Sequence, residues 1–133
     1  MIDYRPEPPS PADFIRLFRA SGWSEADEIP EERLAAAPLG AWCGVTARLG
    51  GRVVGMGLVL SDGALHALIV DVIVAPELRG TGIGTEVVRR LVARCREAGI
   101  PSIQLFCARG KRPFYERLGF VARPDDGPGM ELA

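Results

Sequence analysis

One stretch of the chain has the residue types and spacing of an anion site. An apolar run with one acid, Asp71-Val72-Ile73-Val74, leads through Ala75-Pro76-Glu77-Leu78 to Arg79, and three alternate glycines, Gly80, Gly82 and Gly84, then open an amphipathic segment from Glu86 to Arg96. The first turn of a helix leaves several N–H groups without intrahelical partners, and the aligned peptide dipoles add about half a positive charge there. Glycines let the backbone approach a phosphate closely and turn successive N–H groups into one concavity. Arg79 adds a full charge, so a diphosphate is the expected ligand. A P-loop is excluded because no Lys-Ser or Lys-Thr pair follows the glycines. A dinucleotide fingerprint fails at its third glycine, where Thr85 stands, and too little chain follows Glu86 for a doubly wound domain.

Arg79-Gly80-Thr81-Gly82-Ile83-Gly84 resembles the Arg/Gln-x-x-Gly-x-Gly/Ala signature of the Gcn5-related N-acetyltransferase (GNAT) superfamily, with Val74-Ala75-Pro76 before it as in that group. Pro113-Phe114-Tyr115-Glu116-Arg117-Leu118-Gly119-Phe120 resembles the superfamily's second, Phe-Tyr-x-x-x-Gly-Phe segment. The likeness runs from about Arg52 to the end. It implies an α+β fold: a mixed, mostly antiparallel twisted sheet, flanked by helices, whose central parallel pair, Ile69 to Val74 and Ser102 to Cys107, splays apart. It also implies acetyl-CoA as acyl donor, its pantetheine arm along the backbone of Val72, Ile73 and Val74 and its diphosphate on Arg79, Gly80, Thr81, Gly82, Ile83, Gly84 and Thr85.

The implied reaction is acetyl transfer to a primary amine within a ternary complex, without a metal, and it poses two proton problems. An amine with a lysine-like pKa of about 10.4 is neutral in roughly one molecule in 2,500 at pH 7, so a base must free it. The departing thiolate needs a donor, and Tyr115 holds the tyrosine position of the second segment. For the base, Asp71 is the one carboxylate in an otherwise apolar strand, where burial would raise its pKa toward a useful range. In the branch of the superfamily that acetylates glucosamine 6-phosphate, a Glu-Asp pair occupies this place with the glutamate as base. Val70 stands at that glutamate position, so Asp71 is either the base or a group that ties backbone or orients the acceptor. The asparagine that many relatives carry seven residues before the tyrosine is Ala108 here.

Other groups carry less chemistry. His66 is the single histidine and has no Gly-x-Ser-x-Gly elbow to complete a serine triad. Cys43, Cys95 and Cys107 have no zinc or redox spacing and lie in apolar stretches, as packing residues do. Arg109-Gly110-Lys111-Arg112 reads equally as a solvated turn or a phosphate contact.

The remaining chain must position these groups. At 133 residues, 47% hydrophobic and 25% charged, it suits one domain spanning 1–133. Its 16 basic and 17 acidic side chains argue against a nucleic-acid partner. No run is long enough to span a membrane, the N-terminus lacks a signal-peptide pattern, and the free cysteines suit a cytoplasmic protein. Expected elements are an edge strand at Ile2 to Arg5, a helix capped by Ser10-Pro11 carrying Phe14, Ile15, Leu17 and Phe18 inward, and, within Trp23 to Leu39, an acidic loop followed by a short helix around Glu31 to Ala37. A hairpin of Ala41 to Leu49 and Arg52 to Leu60 turns at Gly50-Gly51, followed by a strand from Leu65 to Val74. A helix from Gly82 to Ala98, a strand at Ser102 to Cys107, a helix at Arg112 to Leu118, and strands at Gly119 to Arg123 and Met130 to Leu132 complete the set.

The expected acceptor is a small-molecule amine, with the acidic residues Glu25, Asp27, Glu28, Glu31 and Glu32 read as either a rim for a cationic acceptor or a solvated helix face. A closed pocket beneath Phe14, Phe18 and Trp23 would suit a metabolite. An open groove would suit the alternative, a protein amine. A non-catalytic acyl-CoA sensor is the non-enzyme alternative, and the resemblance leaves a homodimer open.

Overall fold

The computed structural model describes residues 1–23 and 25–133. One sheet runs in the order β1 (Asp3–Arg5), β2 (Cys43–Leu49), β3 (Arg52–Ser61), β4 (His66–Val74) and β5 (Ser102–Leu105). The first three pairings are antiparallel and β4 with β5 is parallel. The helices are α1 (Pro11–Arg19), α2 (Glu31–Leu39), α3 (Ile83–Glu97) and α4 (Arg112–Glu116), with 3-10 turns at Ala26–Glu28 and Pro76–Leu78. This is the expected mixed α+β architecture. The loop expected between Trp23 and Pro30 includes Ser24, which lies outside the described residues.

Local chemistry accounts for these elements. The Ser10 hydroxyl accepts from the Asp13 N–H at 3.2 Å, and Pro11 takes the first helical position, where no N–H is needed. Along α1, Phe14, Leu17 and Phe18 are buried, each contributing about 1.5–3 kcal/mol, whereas Ile15 is only half-buried at the edge of the apolar stripe. Gly50 and Gly51 have φ of 58° and 81°, the left-handed pair that a two-residue hairpin between right-twisted strands requires. α2 runs two residues past the expected Ala37 and keeps Pro38 in its last turn, where the proline ring is buried.

Consecutive residues of β3 from Val53 to Val59 are buried, so both sheet faces are covered. Ile83, Val87 and Leu91 of α3, spaced four apart, lie on the face of Gly55 and Gly57. α1 packs against β3, β4 and α2 and covers the opposite face. Two arginines of α3 brace it by stacking, Arg90 4.7 Å from the Tyr4 ring centroid and Arg94 4.6 Å from that of Trp42.

The turn from β3 into β4 is built on Asp62, whose carboxylate accepts the N–H groups of Ala64, Leu65 and His66 at 2.8 to 3.1 Å. These bonds hold its pKa down at about 2, against an ordinary 3.8. Since the ionised form is the bonded one, the turn keeps this support at and above the ordinary value and loses it as pH falls through about 2. Amide shifts of Ala64 to His66 followed by NMR should titrate with a midpoint near 2, and a midpoint near 3.8 would mean that the bonds do not hold in solution.

Two expectations fail after β5. The strands expected at Gly119 to Arg123 and Met130 to Leu132 do not form, and Val121, Met130 and Leu132 are exposed. Only Phe120 of that segment packs on the core, so alternation there has no face to bury, and strand propensity without burial is weak. Arg123 donates to the Gly127 carbonyl instead, closing a local turn between Pro124 and Pro128. Cys107 and Phe106 are exposed rather than packed because β5 ends at Leu105 and the chain leaves the sheet.

Candidate active site

The anion loop takes the conformation that its glycines permit. Pro76–Leu78 makes a 3-10 turn, Gly80 and Gly82 sit at φ of 77° and 92°, and Gly82 is the N-cap of α3. The first bond of α3 runs from the Glu86 N–H to the Gly82 carbonyl, at 3.2 Å. The N–H groups of Ile83, Gly84 and Thr85 meet no protein acceptor among the described residues and remain available to an anion. The Thr81 hydroxyl is turned back onto the Leu78 carbonyl. The exposed guanidinium of Arg79 has no carboxylate partner among the described residues, and its one bond is to the Ser21 carbonyl at 3.3 Å.

Beside this loop the sheet opens. β4 and β5 pair only from His66 with Ser102 to Ile69 with Leu105, so through Val70–Val74 β4 continues with β3 as its one partner strand among the described residues. The edge of Val72, Ile73 and Val74 that faces away from β3 carries no strand among the described residues, as expected for a splayed parallel pair. An extended amide-bearing chain can pair there as an added strand does. A Cβ built on Gly84 would lie 3.5 Å from Phe114 Cζ and 3.6 Å from Val74 Cγ2. The tip of β4, the first turn of α3, and α4 therefore meet at one place.

Asp71 sits at a β-bulge. Leu58 pairs with Val70 and Met56 with Ile73, so Gly57 alone opposes Asp71 and Val72, and Asp71 takes φ +54°, the one non-glycine positive φ among the described residues. Burial, the sole cause, raises its carboxyl pKa. No hydrogen bond or salt bridge to a described residue engages this carboxylate, so the backbone-tying role considered for it has no support. Because the ionised form is penalised in the fold, stability falls as pH rises from the ordinary carboxyl range through the raised value. Asp71→Asn keeps a residue tolerant of positive φ and should melt higher than the wild type at pH 7, the gap closing below about pH 4. A gap independent of pH would refute the burial of the charge.

Tyr115 is half-buried on α4, edge-on to Phe114 and Phe120 with centroids 4.9 and 6.0 Å away. Burial first, and the neighbouring Cys107 thiol second, raise its pKa, which keeps the phenol protonated and able to donate. His66 stands at the opposite end of β4, roughly 26 Å from Val74 at 3.3 Å per residue, and takes no part. Arg109, Lys111 and Arg112 are exposed, with Arg112 paired to Glu116 at 3.3 Å. Phe14 and Phe18 belong to the core, while Trp23 is exposed and edge-on to Phe18 at 5.2 Å. Three participants escaped the sequence reading: Ser21, as partner of Arg79, and Gly55 and Gly57. Glycine at alternate positions inside a strand is the available signal for the last two, since it marks a bulge or a close backbone approach.

With this geometry, residues 6–120 match the family described as Acetyltransferase (GNAT) family. The chain belongs to that family. A GNAT family protein of Streptococcus pneumoniae superposes with a TM-score of 0.84 over 100% of this chain and 98% of its own, at 25% identity. A GNAT acetyltransferase of Brucella melitensis, solved in complex with acetyl-CoA, gives 0.73 over 92% and 84% of the two chains, also at 25% identity. Over 80 residues the chain is 39% identical to the chloroplastic serotonin N-acetyltransferase 2 of Oryza sativa subsp. japonica, covering 60% of this chain and 40% of that one. The chain thus spans under half the length of such curated relatives. In this GNAT domain the glycine loop, the open edge of β4 and Phe114, the chain neighbour of Tyr115, lie together.

Proposed function

We propose that the protein is an acetyl-CoA-dependent N-acetyltransferase acting on a primary amine. The observation that carries this reading is the meeting of the unpaired β4 edge with the unpartnered N–H groups of α3 beside Arg79. An extended amide chain ending in a diphosphate suits that pair of surfaces. When bound, acetyl-CoA supplies an acetyl thioester.

The protein's own groups then have defined tasks. The backbone groups of Val72 to Val74 that face away from β3 hold the arm, and an outward N–H among them polarises the carbonyl as an oxyanion hole does. Asp71, raised by burial, takes the proton that the amine nitrogen loses as the N–C bond forms. The Tyr115 phenol gives a proton to the sulfur as the C–S bond breaks. Arg79 and residues 80–85 hold the diphosphate. The acids from Glu25 to Glu32 follow Ser21, the partner of Arg79, in the chain, and their charge favours a cationic acceptor over an anionic one. The rice relative is named for serotonin, a small primary amine, which supports a metabolite acceptor.

The test is calorimetric titration with acetyl-CoA, with NAD and ATP as controls, followed by an amine panel read by mass spectrometry. Selective acetyl-CoA binding with N-acetylated small amines is the expected result. Acetylation confined to peptides would move the acceptor class to proteins, and binding without turnover on any amine would leave a sensor domain.

A further inference from the structure

Neither Gly55 nor Gly57 has a positive φ, so backbone conformation does not explain why two glycines alternate in the most buried strand. Space does. A Cβ on Gly55 would lie 2.7 Å from Ile83 Cγ2, and a Cβ on Gly57 would lie 2.7 Å from Leu91 Cδ1 and 2.8 Å from Val87 Cγ1. The bare backbone of β3 thus forms a track on which three successive turns of α3 rest. Ile83 and Val87 are branched at Cβ and cannot swing aside.

The cross-strand partners give this track its significance. Gly55 pairs with Val74, and it underlies Ile83, the first residue of α3. It is therefore in contact with both halves of the donor site, the strand edge and the helix N-terminus. Gly57 lies opposite the bulge at Asp71 and Val72, and a Cβ there would be 3.5 Å from Val72 Cγ2.

We propose that Gly55, seconded by Gly57, is a positioning residue for acyl-donor binding: its missing side chain sets the height of α3 over β4, and so registers the diphosphate cradle against the strand edge. The inference rests on the acetyl-CoA reading above and concerns residues that touch no part of the ligand. Normal carbon contacts lie at about 3.5–4.0 Å, so a methyl at Gly55 must lift the start of α3 by roughly 1 Å. A displacement of that size in a positioning element costs up to about 100-fold in function.

The experiment is calorimetry with coenzyme A on the wild type, Gly55→Ala, and Gly55→Ala combined with Ile83→Leu, which removes the Cγ2 methyl in the way. Thermal melts accompany each protein. Gly55→Ala should bind coenzyme A at least tenfold more weakly while folded, and the double variant should recover most of that loss. Wild-type affinity in folded Gly55→Ala, or an equal loss in the double variant, would overturn the inference. A purely structural role would lower the melting temperature and leave the affinity of the folded protein unchanged, which also overturns it. If Gly55→Ala does not fold, Gly57→Ala takes its place, with a loss of at least threefold expected and an unchanged affinity counting against the proposal. Failure of the wild type itself to bind coenzyme A would remove the donor reading and the inference with it, and that result is read separately from the variants.

Discussion

Replacing Tyr115 with phenylalanine is expected to lower turnover by about 10²- to 10⁴-fold, the usual contribution of a positioned general acid, with coenzyme A affinity retained. The substitution removes one oxygen from a half-buried ring. The edge-on contacts to Phe114 and Phe120 survive, so the fold and the neighbouring cradle stay in place. What is lost, on the proposed mechanism, is the proton for the departing sulfur. Burial and the Cys107 thiol hold the phenol protonated above its ordinary value of 10, so the wild-type rate should show no loss from this group at neutral pH. Loss of the phenol proton should begin only on the alkaline side of that value. The check is a paired measurement of kcat and coenzyme A affinity. Full activity in Tyr115→Phe would place the proton donor elsewhere.

The second large effect is expected at Gly82. This residue caps α3 at φ 92°, and a Cβ there would meet nothing within 4 Å. The open space is the volume where an anion would approach the N–H groups of Ile83 to Thr85. A tryptophan at this position fills it. Gly82→Trp should therefore weaken acetyl-CoA binding by 100-fold or more, about 2.8 kcal/mol at 1.4 kcal/mol per decade. Gly82→Ala separates the two contributions, because alanine meets only the cost of a left-handed backbone, about 1–2 kcal/mol, without occupying the cradle. Titration of both variants with acetyl-CoA is the measurement. Equal binding by Gly82→Trp and the wild type would show that the diphosphate lies elsewhere.

These two variants lie on α4 and at the start of α3, and the contact that joins these elements to β4 is Gly84 with Phe114 and Val74. A helix of five residues such as α4 cannot hold its own position by backbone bonding alone. Its placement comes from Phe114 against the first turn of α3 and from Phe120 against the core. The open end of β4 is equally a product of the whole sheet. It exists because β5 has four residues against nine in β4.

By itself the sequence determined most local elements up to β5 and the two motifs that mark the family. Ser10-Pro11, Gly50-Gly51, the glycine loop and the apolar stripe of α3 each act through neighbours within a few positions, so their physics is readable from spacing. The same holds for the family to which the chain belongs, because its two segments are short, ordered and rich in residues with special backbone needs. Tertiary structure alone decided the rest. The bulge at Asp71 is a register shift between β3 and β4, a relation between residues far apart in the chain. The fates of Gly119 to Arg123 and Met130 to Leu132 depended on an available face to bury, which alternation in one segment cannot reveal. The roles of Gly55 and Gly57 follow from the distance between a strand and a helix packed on it. A side chain that is absent shows its purpose only when the atoms that fill its place are known.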